Sequence, residues 1–225
     1  MNMRIIEVPF TPNVPVLLKR LGLDADSDEA EDFLALLEKA APVARPKAAL
    51  AAVRIDAVEP SGLVRMGGVE FHSGLLAKNL AETETAWPFL VTCGRELYDF
   101  VMAIPDPFER YWGDEIMQEA LGFASEAARG ALHDEHYQGK VASMTPGSLV
   151  DWPIGEQVPL FRLFGDTAAK VGVTLTDSLL MIPNKSVSGI RFPNEHGYVN
   201  CRLCPKERCH NRKAEYDADL ALMEG

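Results

Sequence analysis

An α+β fold in one domain is what this chain predicts, on three observations. Short β-branched and aromatic runs closed by Gly, Pro or Asn occur near the start, in the middle and near the end, with helical stretches grouped between them. At 225 residues and 47% hydrophobic content the chain can bury a sizeable core as a single unit. No internal repeat is visible.

The elements follow in order. Residues 4–8 read as a first strand and 14–21 as a short helix. Residues 28–40 make an acidic amphipathic helix with Ser27 as its cap, since a Ser hydroxyl can accept from the orphaned N–H groups of a first turn. Val53, Ile55 and Ala57 alternate within 50–58, and Pro60-Ser61-Gly62 follows, a strand running into a turn. Residues 64–71 supply one or two further strands broken at Gly67-Gly68, 73–81 a helix, and 87–92 a buried strand ending at Cys93-Gly94. Helices then dominate: 95–103 and a long one over 107–133. In the long helix Ala120, Ala124, Ala127, Ala128 and Ala131 leave a small face that neighbours can approach closely. Beyond a Pro146-Gly147 loop, 156–164 and 166–171 read as helices. The apolar run 179–182 stops at Pro183-Asn184 and 187–192 resumes it, giving strand, turn, strand. There Ser186, Ser188 and Gly189 leave room for a flat ligand or partner surface, or simply permit tight packing. Residues 214–223 read as a closing helix. The main domain is thus 1–200, with 201–225 a cysteine-bearing appendix packed on it.

A formal charge of −11 repels a phosphate backbone and sets nucleic acid aside as a partner. No segment approaches the roughly 18 uninterrupted apolar residues of a membrane span. The short apolar run in 1–10 is broken by Arg4 and Glu7, so no leader or membrane segment is expected and the expected compartment is the cytoplasm. Charge is uneven: 24–32 is acidic, whereas Arg202, Lys206, Arg208, Arg212 and Lys213 surround three cysteines.

Four cysteines, three of them close together near the C-terminus, suit a reduced compartment and a metal site better than a disulfide framework. Cys201-x2-Cys204 puts two thiolates within reach of one ion, and the gap to Cys209 lets the chain fold round to add a third. A four-iron four-sulfur cluster is favoured, with zinc the alternative. Cys93, His210 or an external group would complete the set. Cys93 offers the preferred thiolate, although a cysteine ending an apolar strand also serves as a small buried hydrophobe. His210 adjoins Cys209, and neighbouring residues seldom reach one ion together. His133 and His136, near a helix end, suit the role of C-terminal charges.

Three ordered stretches carry a family resemblance: Pro146-Gly147 with Asp151-Trp152-Pro153, then residues 172–178, then Ser186-Val187-Ser188-Gly189. They resemble the Pro-Gly-Tyr loop, the Gly-x-x-Leu-Thr-Glu-Ser approach and the Ser-Val-Ser-Gly turn of the activation (reactivation) domain of cobalamin-dependent methionine synthase, and 114–133 fits its long helix. The resemblance covers 143–190 directly. It implies a twisted, mainly antiparallel sheet with flanking helices. It also implies an accessory protein that docks on a corrinoid protein or on methionine synthase modules and supports reduction of an inert cobalt, in methionine synthesis or related methyl transfer. The cobalamin is then presented by the partner. The 146–153 loop and the 184–190 turn would cap the upper corrin face through Pro146, Gly147, Ser148, Asp151, Trp152, Lys185, Ser186, Ser188 and Gly189, with Lys185 meeting a propionamide or the phosphate and Glu126 facing an adenosylmethionine site. Each has an ordinary alternative: a turn, a packed Trp, an exposed lysine, a solvated glutamate.

The chain departs from that family where an Arg four residues before the loop Gly and a Tyr directly after it help hold S-adenosylmethionine. Ser143 and Ser148 stand there, and Ser cannot replace a bidentate guanidinium. Binding of S-adenosylmethionine in the usual manner is therefore not expected. A cysteine-bound iron-sulfur cluster would let this chain relay the electron itself. Two other readings stay open: a zinc-stabilised docking module without redox chemistry, and a small-molecule enzyme that has kept the fold. No Ser/His/Asp order, phosphate-binding glycine loop or paired-carboxylate motif marks a catalytic residue.

Overall fold

The computed structural model describes residues 3–207 and 212–224. The elements run β1 (Arg4–Glu7), α1 (Val14–Leu21), α2 (Asp28–Ala40), β2 (Lys47–Leu50), β3 (Val53–Val58), β4 (Leu63–Met66), β5 (Val69–His72) and α3 (Gly74–Leu80). Then come β6 (Thr85–Thr92), α4 (Arg95–Met102), α5 (Pro107–Glu135), β7 (Val141–Met144), α6 (Gln157–Phe164) and α7 (Thr167–Lys170). β8 (Thr174–Leu175), β9 (Met181–Ile182), β10 (Ser186–Pro193), α8 (Asn200–Leu203) and α9 (Ala218–Glu224) complete the chain.

Eight strands form one sheet, and every pairing in it is antiparallel. β6 is its centre: β2 and β3 pair with it on one side and β10 on the other, and β10 in turn pairs with β7. Residues 86–92 are all buried, which is why this segment reads as an unbroken apolar run; helices cover both faces. Alternate residues point to opposite faces. Leu90, Ile190 and Phe192 join Phe71, Trp152, Leu160 and Phe164 on one side. Trp87, Phe89 and Val91 join Phe33, Ile116, Ala120, Ala124 and Ala128 on the other. The alanine face of α5 thus lies against the sheet: Ala120, Ala124 and Ala128 are fully buried. Ser27 caps α2, its hydroxyl accepting from Ala30 N at 3.2 Å.

Three expectations change. The strand over 50–58 is two strands, because the chain breaks at Ala51-Ala52 and β2 and β3 each find β6 separately. The Lys-Ala-Ala-Leu run of β2 has no β-branched residue, so its extended form is imposed by the strands beside it. The strands read at 179–182 and 187–192 do not pair with each other across their turn. β9 pairs with β8 in a small separate sheet, while β10 crosses into the main one. β7 also went unread, a short strand that pairs with β10.

Candidate functional site

β7 delivers the chain into the 145–154 loop, and the loop is bound tightly to the fold. Gly147, at φ +81°, donates its N–H to Trp152 O at 2.8 Å, and a Cβ there would meet the Ile154 side chain at 2.8 Å. The Ser148 hydroxyl donates to Thr145 O at 2.6 Å. Asp151 turns inward: its carboxylate accepts from the Ser73 hydroxyl, from Gly74 N at 3.1 Å and from Leu75 N at 3.0 Å, holding the start of α3. Trp152 is 0% exposed, edge-on to Phe71 at 6.4 Å, with its indole N–H 3.4 Å from Glu156 Oε2. The expected corrin-facing rim of Asp151 and Trp152 is therefore corrected: both are spent anchoring the loop from beneath. Pro146 is buried too, and Gly147 is exposed. The outward apolar groups are Val150, 89% exposed, and Ile154. Neither was singled out from the sequence, and no local signal separates Val150, which is exposed, from its buried neighbour Leu149.

The 184–190 segment is likewise more internal than its turn-like sequence suggests. Ser186 and Ser188 are buried, and the Ser186 hydroxyl donates to Thr92 Oγ1 at 2.9 Å. A Cβ on Gly189 would sit 2.3 Å from Met144 O and 3.0 Å from the Phe89 ring, so the glycine is required by the closeness of β7 and β6. Lys185 pairs with Asp114 of α5 at 2.7 Å, which removes the exposed turn lysine from consideration. Tight packing explains these small residues.

On the α5 side of the same strand lies a group that sequence reasoning missed. Arg191 stands directly opposite Ser143 and is 7% exposed, with its Cζ 4.3 Å from the Phe89 ring centroid and Nη1 without a hydrogen-bond partner among the described residues. Burial pulls the guanidinium down to about 10; the Arg129 cation pulls the same way and Glu126 opposes it. Glu126 itself is exposed and pairs with Arg129 at 2.7 Å. A lone charge within the strand-like run 187–192 was the signal.

Cys201 on α8 and Cys204 just after it are half-buried free thiols. Arg212 holds their segment closed by donating to the carbonyls of Cys201 at 3.1 Å, Ala214 at 3.1 Å, Cys204 at 3.3 Å and Lys206. Lys213 N donates to Cys201 Sγ at 3.4 Å. Thiolates of this kind are the ligands that a thiophilic centre takes. Cys209 and His210 lie outside the described residues, as does Arg208. Among the described residues no group of three or more His, Cys, Asp or Glu side chains converges on a metal position. Cys93 does not complete the set: it belongs to the core on the α5 face, whereas Cys204 packs on the opposite one, and burial pushes its thiol up to about 12. The appendix nevertheless meets the loop, for Asn200 Nδ2 donates to Ser148 Oγ at 3.3 Å. His133 lies beside Asp134 at 3.3 Å.

Residues 107–214 match the family described as vitamin B12 dependent methionine synthase, activation domain. In fold, the chain is similar to the crystal structure of the MetH reactivation domain bound to AdoHcy. The TM-score is 0.62, with 14% identity, over 89% of this chain and 81% of that one. Among curated proteins none matches. No helix among the described residues is long and apolar enough to cross a membrane.

Proposed function

We propose, from the premise that this chain is activation-domain-like in fold and across 107–214 in sequence, that it docks on a corrinoid protein of the methionine synthase type and supports reductive reactivation of its cobalt. The observation that carries this reading is the match itself, which spans α5, the 145–154 loop and β10 as one block. The loop is suited to docking because its shape is already formed: Asp151 and Trp152 secure it from below while Gly147, Val150 and Ile154 face outward. A surface ordered beforehand loses little conformational entropy when a partner arrives. Cobalamin is then the partner's group, touched by this loop. Lys185, Ser186, Ser188 and Gly189 shape the strand behind it.

Cys201 and Cys204, with Cys209, are the residues that would hold a metal centre, and an iron-sulfur cluster there would supply a one-electron carrier. The Asn200 to Ser148 bond supports this by placing the segment beside the loop. Zinc docking without redox chemistry is the second reading, favoured by the way Arg212 already closes the segment locally. AdoHcy, the ligand of the MetH structure, is the natural small-molecule probe for this chain.

The test is capture of a cobalamin-loaded methionine synthase fragment by the full chain purified anaerobically, with iron, sulfide and zinc analysis of the same sample. Binding weakened about tenfold or more by Val150→Asp is expected, since an aspartate must be desolvated in the contact. No capture by the unaltered chain ends the docking reading. Iron and sulfide with a spectrum bleached by dithionite favours electron relay, and stoichiometric zinc favours the docking module.

A further inference from the structure

Two parts of the molecule meet at Ser148. Its hydroxyl donates to Thr145 O at 2.6 Å within the loop and accepts from Asn200 Nδ2 at 3.3 Å at the start of α8. Asn200 Oδ1 accepts in turn from the Tyr198 hydroxyl at 3.0 Å. Tyr198 is clamped just beyond β10: its N–H donates to Asn194 Oδ1 at 2.7 Å, its carbonyl accepts from Asn194 Nδ2 at 2.9 Å, and its ring packs on Phe192 at 5.8 Å. At every link a donor faces an acceptor, so Tyr198, Asn200, Ser148 and Thr145 form one satisfied chain running in one direction. Cys201 follows Asn200 directly, and Leu203, 9% exposed, fixes the other end of α8 in the core. The thiol segment is thereby held in register with the loop. Size gives this contact a consequence. A stable protein interface covers roughly 800 Å² and about 20–30 residues on each side. Residues 145–154 alone cannot supply that, with Val150 and Ile154 as their large exposed apolar groups. A partner seated on the loop must also reach the surface beside it, and α8 is a part of that surface tied to the loop by a hydrogen bond.

We propose that the corrinoid protein docked on the 145–154 loop also covers α8, so that Cys201 and Cys204 lie inside the docked interface, with Tyr198 and Asn200 as positioning residues that hold the two parts of the surface in register through Ser148. The proposal rests on the docking reading and deepens it by naming the second surface that the partner touches. Half-buried thiols at the border of a contact become inaccessible when it closes. Their reaction with a solvent-borne electrophile then slows, since attack by a thiolate needs access as well as charge.

The experiment is alkylation footprinting of the full chain, reduced and freed of metal. Iodoacetamide is added with and without a saturating cobalamin-loaded methionine synthase fragment, and modification of Cys201 and Cys204 is read by peptide mass mapping. Docking should slow both reactions about tenfold or more, the equivalent of at least 90% of the thiol being covered at any moment. Asn200→Ala and Ser148→Ala should each weaken capture of the fragment about 2- to 10-fold, the usual worth of one hydrogen bond. The double variant should lose no more than either alone, because both remove the same bond. In the saturated complex of Asn200→Ala, Cys201 should be modified faster than in the complex of the unaltered chain. Additive losses, or capture and protection both unmoved by Asn200→Ala, would overturn the positioning role. Footprinting of the unaltered chain decides the covered surface even where a variant fails to fold. Capture with both thiols unprotected removes only the composite surface, and failure of capture removes the docking reading together with it.

Discussion

The 145–154 loop and the described part of the C-terminal segment, residues 200–207 and 212–217, adjoin each other, yet they are held by different means. Beside its local turn bonds the loop has long-range anchors: Asp151 reaches the start of α3 76 to 78 residues away, and Trp152 is fully buried in the core. The appendix bonds mostly to itself. Arg212 contacts carbonyls no more than 11 residues distant, and Leu203 is its only side chain among the described residues that is buried in the core. The loop's shape therefore depends on the whole fold and survives without a ligand. The appendix depends on a local network that a metal could strengthen or replace.

That contrast can be broken at several points. Trp152→Ala should have the largest effect, a loss of about 3–5 kcal/mol, because it leaves a large cavity between Phe71 and the loop. Urea unfolding measures it, and a loss below about 1 kcal/mol would mean the loop is not anchored by the core. Asp151→Ala removes the acceptor for the Ser73, Gly74 and Leu75 donors and should cost about 1–2 kcal/mol by the same assay. Arg212→Ala should change global stability by less than about 0.5 kcal/mol. It should also speed limited proteolysis within 205–214, so a large global loss would show the appendix to be part of the main cooperative unit.

Cysteine chemistry sharpens the same comparison. Iodoacetamide at pH 8 should modify Cys201 and Cys204 of the metal-free native chain and spare Cys93, as peptide mass mapping will show. Burial raises the folded Cys93 thiol from the ordinary 9.0 to about 12. The unfolded chain therefore binds fewer protons in that window, and stability falls as pH rises from about 9 towards 12. Cys93→Ala should lessen that fall.

Much of the fold was legible because its signals are local. The Ser27 cap, the alanine face of α5 and the apolar run of β6 each follow from side-chain chemistry within a few residues. β2 and β7 were not legible, since short runs without a strong β preference become strands only when neighbours offer hydrogen bonds. The same limit governs the site. Pro146-Gly147 was readable as a turn, but nothing local told that Asp151 would face α3, that Lys185 would meet Asp114, or that Cys93 and Cys204 would lie on opposite sides of a sheet.

The amino-acid sequence by itself determined the α+β class, most helix positions, the order of the family-like stretches and the close spacing of Cys201 and Cys204, all properties of residues near one another in the chain. Only the tertiary structure decided which of them face outward and which are consumed in packing. It also decided that Arg191 would be buried opposite Ser143 against the Phe89 ring, its Nη1 without a hydrogen-bond partner among the described residues. Burial and pairing across a sheet are fixed by segments far apart in sequence, and no local pattern encodes which surface a neighbouring strand will cover.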